Sequence, residues 1–330
     1  MNEKFNHSTG NEENFKKKFS TGFIKLVIGI FFLTSGMTND SFCQCGCIGG
    51  AAVGSASLIG GTSNIGVLKQ GYVRAIGTLI YSNGNNFFHK DIPTKPLEDI
   101  LVRGYSSTFT GLILGYGITN DLTVDIETGY FANKMQDYGE TKLSGSGFSH
   151  STIFIKYNMI NQRRNSFEWS TGIGGKLPLA SREQNLPQNI KSSNGAFGGV
   201  LLSFIRKGFD YDEWNLLLIN RYEWNDINNG MFQTGQSFIN SMFVTKSLFD
   251  DFIGALELRS DVKLKDRLFG EELSNTGWNV VVVAPQLNYA IGDWFITAFY
   301  EYPVYKYYND TQLTNKQNIG LALTWNSKLF

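Results

Sequence analysis

The stretch DLTVDIETGY, residues 121–130, decides the fold. Leu122, Val124, Ile126, Thr128 and Tyr130 fall on one side; Thr123, Asp125, Glu127 and Gly129 fall on the other. A period of two is that of a β-strand, here with one apolar and one charged face. The charged face needs water or counter-charge. The apolar face needs a second layer of protein or a membrane, and its neighbours in the chain say which.

From residue 69 onward, twelve extended segments alternate with turn-rich connections. They span 69–81, 104–118, 122–131, 148–159, 167–177, 195–205, 214–223, 236–246, 252–264, 278–290, 294–302 and 317–325. Globular strands average about 5–6 residues, whereas a tilted strand needs roughly 9–11 to cross a bilayer, and most of these segments reach that length. Charge keeps to one phase. Phe167, Trp169, Ile173 and Leu177 oppose Glu168, Ser170 and Lys176, and Leu216, Leu218 and Tyr222 oppose Arg221 and Glu223. Phe252, Leu256, Leu258 and Val262 oppose Glu257, Arg259, Asp261 and Lys263. The connections alternate in length. The larger ones are 82–103, 132–147, 178–194, 224–235, 265–277 and 303–316, and the tighter ones are 119–121, 160–166, 206–213, 247–251 and 291–293. Long loops at one end and short turns at the other are the habit of outer-membrane barrels.

A protein core against the apolar faces would require a second layer to cover them. Twelve strands closed on themselves instead set Leu122, Val124 and Ile126 against lipid and turn Asp125 and Glu127 toward a wet interior. Closure also pairs every backbone donor and acceptor, as a bilayer demands. The expectation is therefore an all-β fold: a transmembrane, antiparallel, up-and-down β-barrel of about 12 strands in the cell outer membrane. Its partners are outer-membrane lipid and the barrel-assembly machinery. Tyr81, Tyr130, Phe131, Tyr157, Phe167, Trp214, Tyr222, Tyr289, Trp294 and Tyr302 lie near strand ends and suit interfacial girdles. Pro285 sits inside a strand, where it removes a ladder bond, so a bulge is expected there. The end of the chain, IGLALTWNSKLF, places Ile319, Leu321, Leu323 and Trp325 in phase and ends on Phe330. It resembles the terminal strand that the assembly machinery reads.

Composition by itself does not separate a membrane barrel from a soluble protein, because alternation cancels in the average. The 330 residues carry zero formal net charge, which removes nucleic acid as a partner, and they include 14% aromatics and only 6 prolines. At the N-terminus, Lys16, Lys17, Lys18 and Lys25 flank the apolar run LVIGIFFL, which is too short to span a membrane as a helix. Residues 1–43 read as a signal peptide, 44–68 as a Cys/Gly-rich periplasmic segment, and 69–330 as the barrel. All three cysteines, Cys43, Cys45 and Cys47, lie in that second region or at its border. An odd count at such spacing does not make a disulfide framework, whereas thiolates so placed suit a soft metal such as Cu(I) or zinc. The alternative is a leader with idle thiols and no cofactor.

Several stretches taken in order resemble one family. They are YGITNDLTVDIETGY, GIGGKLPLAS at 172–181, NLPQNIKSSNGAFGG at 185–199, NRYEWN at 220–225 and QLNYAIGDWFITAFYEYPVY at 286–305. Together they resemble the outer-membrane transporters of the phenol meta-degradation pathway type. Where that family has Pro-Thr-Gly at the end of the fifth strand, this chain has Pro178-Leu179-Ala180. The resemblance implies a barrel that passes small, often hydrophobic solutes and has no catalytic residues.

The interior phase collects the candidate site: Asp125, Glu127, Lys156, Glu168, Lys176, Arg221, Glu223, Glu257, Arg259, Asp261 and Lys263. Six acids and five bases make a lumen of mixed sign. Such a lumen is either a polar conduit for a small-molecule solute or a salt-bridge network that fills the barrel, because twelve strands lie between filled eight-stranded barrels and open sixteen-stranded porins. A filled barrel would serve a structural or adhesive role through its long loops. An outer-membrane lipid hydrolase is a third reading. It would use His150 with Thr152, but His150 shares the lumenal phase of Phe154 and Lys156 instead of facing lipid. His89 with Asp91 in the first long loop is the other candidate acid–base pair.

Overall fold

The computed structural model describes residues 66–95, 102–162, 166–179, 186–187, 190–210, 213–249 and 251–329. The expected signal peptide, the Cys43, Cys45 and Cys47 cluster and most of 44–68 lie outside the described residues. Twelve long strands form the wall: β1 (Tyr72–Gly84), β2 (Gly104–Gly117), β3 (Leu122–Asp137), β4 (Lys142–Gln162), β5 (Phe167–Pro178) and β6 (Gly198–Phe209). They continue as β7 (Trp214–Asn225), β8 (Ser237–Phe249), β9 (Phe252–Lys263), β10 (Trp278–Ile291), β11 (Trp294–Thr314) and β12 (Gln317–Lys328). Each pairs antiparallel with its neighbours in sequence, and β1 pairs with β12 from Tyr72↔Lys328 to Asn83↔Gln317. That last pairing closes the sheet into an all-β, up-and-down barrel without a free edge among its twelve strands.

The opening stretch behaves as its alternation dictates. Asp125 and Glu127 are buried on the inner face, while Ile126 is exposed on the outer one. Its register partners Leu114 and Ile153 are exposed too. The same holds around the wall at Leu79, Ile155, Ile173, Leu201, Leu256, Leu287, Ile296 and Leu321. Exposed apolar side chains scattered singly are ordinary, but a continuous belt of them is a surface built for hydrocarbon. Reversing the faces would put a basic side chain into mid-bilayer lipid at a cost of about 2–4 kcal/mol each. The outer-membrane location follows from this belt and the closed ladder. Among the described residues no helix is long and apolar enough to cross a membrane.

Three local features depart from the sequence expectation. First, much of 132–147 and 303–316 is strand, not loop: β3 runs to Asp137, β4 begins at Lys142, and β11 runs to Thr314. Above the membrane both faces of a strand meet water or other loops. The period-two signal therefore fades while the backbone ladder continues. Second, Phe131 is buried against Phe109, with ring centroids 4.8 Å apart, so it is no girdle residue. Tyr130 is exposed, and adjacent strand residues cannot share a face. Third, the irregularity near Pro285 is a register shift between Val281 and Val282 together with an interrupted ladder to β11.

The tight end of the barrel is made by short turns such as Gly292-Asp293, where Gly292 takes a φ of +57° that a side chain would disfavour. Inside, Gly174 on β5 lies against the ring of Phe154, and any Cβ there would collide with it. Glycine thus makes room for an aromatic that fills the lumen.

Candidate functional site in the lumen

Of the charged residues expected inside, Asp125, Glu127, Lys156, Lys176, Arg221, Glu223, Glu257, Arg259 and Asp261 are buried on the inner face. Glu168 and Lys263 are partly buried nearer the two mouths. They sort into two networks.

The first spans β3, β4, β5 and β7. Lys156 pairs with Asp125. Arg221 donates through Nη1 to both oxygens of Glu127, at 3.2 and 3.0 Å, and through Nε to Glu223 at 2.5 Å. Glu223 in turn accepts from Lys176 at 2.9 Å, and Lys176 also donates to Asn225 at 3.0 Å. The second network spans β9, β10, β11 and β12. Arg259 grips Glu301 with both terminal nitrogens, at 2.9 and 2.8 Å, and reaches Glu257 at 3.4 Å. Gln286 donates to Glu257 at 3.2 Å and Asn318 donates to Glu301 at 2.6 Å. A fork-on-fork arginine–carboxylate pair is the strong form of such contacts, and truncating one partner strands a buried charge.

Toward the mouths, Lys263 binds Asp266 at 2.7 Å, and Arg206 lies 3.9 Å from Glu168. Sequence reading missed Arg74, Arg206 and Glu301. The Glu301 signal was present: Trp294, Ile296, Ala298, Tyr300 and Tyr302 alternate outward, so Glu301 has to point in. Arg74 is buried on the inner phase of β1, whose Gly, Thr and Ser positions blur its alternation, and its Nε donates to Asn326 at 2.9 Å.

The lumen is also more apolar than its charges suggest. Ile76, Ile113, Phe154, Val200, Leu202, Phe204, Leu217, Ile219, Phe243 and Ala255 form one buried cluster within the barrel. Between this cluster and the first ionic network lies a cavity of about 20 Å3, room for roughly one water. Ile113, Phe154, Leu202, Phe204, Ile219 and Ile239 make its apolar wall, and Asp125, Glu127, Lys156 and Arg221 its polar one. Lys156 Nζ stands 5.0 Å from the Phe204 ring centroid, and the Arg221 guanidinium 5.5 Å from that of Phe154. The cations thus face rings as well as carboxylates, which suits aromatic company.

Both mouths are narrowed. At the tight-turn end, Val67 and Leu68 are buried, Leu68 N donates to the inward Thr123 Oγ1 at 2.7 Å, and Gly66 abuts Ser170 and Phe204. At the other end, the short strand Asn86–Lys90 pairs with the upper part of β11, where Thr311, Gln312, Leu313 and Thr314 are buried, as is Asn315 just beyond it. Ile190, in the connection after β5, is fully buried.

Of the two histidine candidates, His150 keeps its expected inward place and His89 has a different carboxylate partner. His150 lies on the inner phase among Lys176, Glu223 and Arg221 and not at the lipid face a lipid hydrolase would use. His89 has Asp310 as its carboxylate, 3.2 Å from Nδ1, and Thr311 Oγ1 at the same distance; Asp91 is exposed. The reason is the fold-back of β11 over the mouth, which no local sequence pattern announces. Among the described residues no group of three or more His, Cys, Asp or Glu side chains is arranged to hold a metal.

Solved structures supply the comparison. The chain is similar to the COG4313 outer membrane channel from Pseudomonas putida F1, with a TM-score of 0.64 at 10% identity, covering 79% of this chain and 97% of that one. The fold is that of an outer-membrane β-barrel. A Pseudomonas aeruginosa FadL homologue matches at a TM-score of 0.43 and 9% identity, covering 87% of this chain and 99% of that one. The translocator domain of the autotransporter NalP from Neisseria meningitidis matches at 0.42 and 9%, covering 78% and 89%. No family model matches the sequence, and no curated protein matches it.

Proposed function

We propose that this barrel binds a small apolar or aromatic solute in its lumen and passes it across the outer membrane. The observation that carries the reading is the lining of the central cavity. Six apolar side chains form its wall, and the charges beside them are already paired with one another. A conduit for hydrophilic solutes would keep a continuous column of water, whereas this lumen narrows to a small cavity with an apolar wall flanked by ring-facing cations. The likeness in fold to an outer membrane channel supports passage over a purely structural role.

Proteoliposome flux tests this reading. Phenol or toluene should equilibrate across vesicles holding the protein faster than across empty ones, while glucose should cause little osmotic swelling. Free swelling with glucose would make it a hydrophilic porin. No protein-dependent flux of either kind would favour the filled, structural barrel, a reading that the two narrowed mouths keep in play.

A further inference from the structure

We propose that the Phe154 ring, seated on Gly174, sets the aperture of the lumen and so decides the size of aromatic solute that passes. This rests on the lumenal passage described above and names the side chain that governs it.

The cavity beside the first ionic network has room for roughly one water, so a larger solute passes only where its wall yields. Around the cavity the ladder is unbroken from His150↔Pro178 to Asn158↔Ser170 and from Phe167↔Lys207 to Lys176↔Gly198, so the backbone does not give. The charged lining is tied: Lys156 to Asp125, and Arg221 to Glu127 and Glu223. Turning an aliphatic side chain such as Ile113 or Ile219 opens less space than moving a whole ring. Of the two rings in the lining, Phe204 is flanked by Ser170 of β5 and Ile219 of β7, both of which carry side chains. Phe154 is flanked by Asp125 of β3 and by Gly174 of β5, which carries none. Phe154 is therefore the member of the wall with somewhere to go.

β5 is bare beneath the ring. Between inward Ser170 and Lys176, the period of two puts Gly172 and Gly174 on the same inner face. At Gly174 a Cβ would come within 2.5 Å of Cδ1 and Cε1 of Phe154 and 3.0 Å of Cγ2 of Thr152. At Gly172 it would meet Cγ of Lys156 at 3.0 Å and Cβ of Leu202 at 3.6 Å. The Phe154 ring thus lies across the strand, in space that a side chain of β5 would otherwise take. It is withdrawn toward the wall, and the cavity is the room this leaves. The bare strip continues toward Gly172, where the neighbour is the flexible stem of Lys156, so a solute pressing on the ring can slide it along the wall. Arg221 and Lys156, at 5.5 and 5.9 Å from the ring centroid, attract its face and draw it back. The space exchanged is that of one ring, so a single six-membered ring is admitted and a fused pair is not. The outer mouth lies in series with this aperture; opening either raises ion conductance, but the aperture sets the ring size.

The test uses the full chain with Cys43, Cys45 and Cys47 replaced by Ser, so that thiol oxidation does not vary between samples. Protein-dependent flux of phenol and of 1-naphthol is measured in proteoliposomes, and folding of each variant is checked by the gel shift between heated and unheated samples. The parent protein should pass phenol about tenfold faster than 1-naphthol. Gly174→Ala adds a Cβ that drives the ring into the cavity, and phenol flux should fall roughly tenfold. Phe154→Ala should bring 1-naphthol to within about threefold of phenol. The double variant Gly174→Ala, Phe154→Ala should behave as Phe154→Ala does, because the added Cβ then has no ring to push. Gly320→Ala, whose Cβ would strike the Phe299 ring between β11 and β12 and away from the cavity lining, should leave both fluxes unchanged. A folded Gly174→Ala protein with unchanged phenol flux overturns the aperture and leaves lumenal passage standing. So does a double variant as slow as Gly174→Ala alone, or an equal loss in Gly320→Ala. Should Gly174→Ala not fold, Phe154→Ala decides, and 1-naphthol flux that stays at the parent level overturns the aperture. Absence of protein-dependent phenol flux in the parent overturns both the aperture and the passage.

Discussion

At the scale of single residues, Arg221 is the keystone of the interior. It binds Glu127 and Glu223 at once and lies over Phe154. Replacing it by methionine keeps the volume but leaves two buried carboxylates without their shared cation. Arg221→Met should destabilise the barrel by about 3–5 kcal/mol, the cost of breaking a buried pair from one side. Urea unfolding of the refolded protein in detergent micelles would measure this. Replacing the whole cluster, Glu127→Gln, Lys176→Met, Arg221→Met and Glu223→Gln, should recover most of the loss, because Lys176 would otherwise lose its carboxylate and no charge is then stranded. A single mutant with an unchanged midpoint would mean that the network is hydrated and not a buried one. This scale also shows what sequence can convey about a site. Asp125, Lys156, Arg221 and Arg259 were legible, because phase alone sends them inward. Their pairing was not. Arg221 and Glu127 are distant in the chain, and the register that joins β3 to β7 across the lumen comes from closure, not from any local motif.

At the scale of elements, the strands are longer than the membrane they cross. β4 and β11 each run 21 residues. Alternation marked the lipid-facing parts of these strands well and lost them above the bilayer, where neither face has a single solvent. The fold-back of β11 therefore reads as a loop in the sequence, which hides the true partner of His89. That fold-back and the strand Asn86–Lys90 cover the outer mouth together, tied by His89 to Asp310 and by Thr314 Oγ1 to Asn86 O. Deleting residues 86–94 should leave the twelve-stranded wall intact and widen that mouth. In planar bilayers, single-channel conductance should then rise above that of the intact protein. Equal conductance would place the constriction lower, at the apolar cluster around Phe154 and Phe204.

At the scale of the whole molecule, one inversion governs everything else: apolar faces outward to hydrocarbon, ionised faces inward. Strand number, closure and the outward apolar face are all legible from this, because a barrel repeats the same constraint twelve times and noise in one strand is outvoted by the others. The degree to which the lumen is filled was not legible, since inward-facing Phe154, Leu202, Phe204, Leu217, Ile219 and Phe243 carry no charge to mark them. Single cysteines at 122–130, spin-labelled in the cysteine-free background and reconstituted in lipid, test the inversion directly. Collision with dissolved oxygen, which concentrates in hydrocarbon, should peak at 122, 124, 126, 128 and 130 and fall at 123, 125, 127 and 129. A flat profile, or peaks at Asp125 and Glu127, would contradict the account.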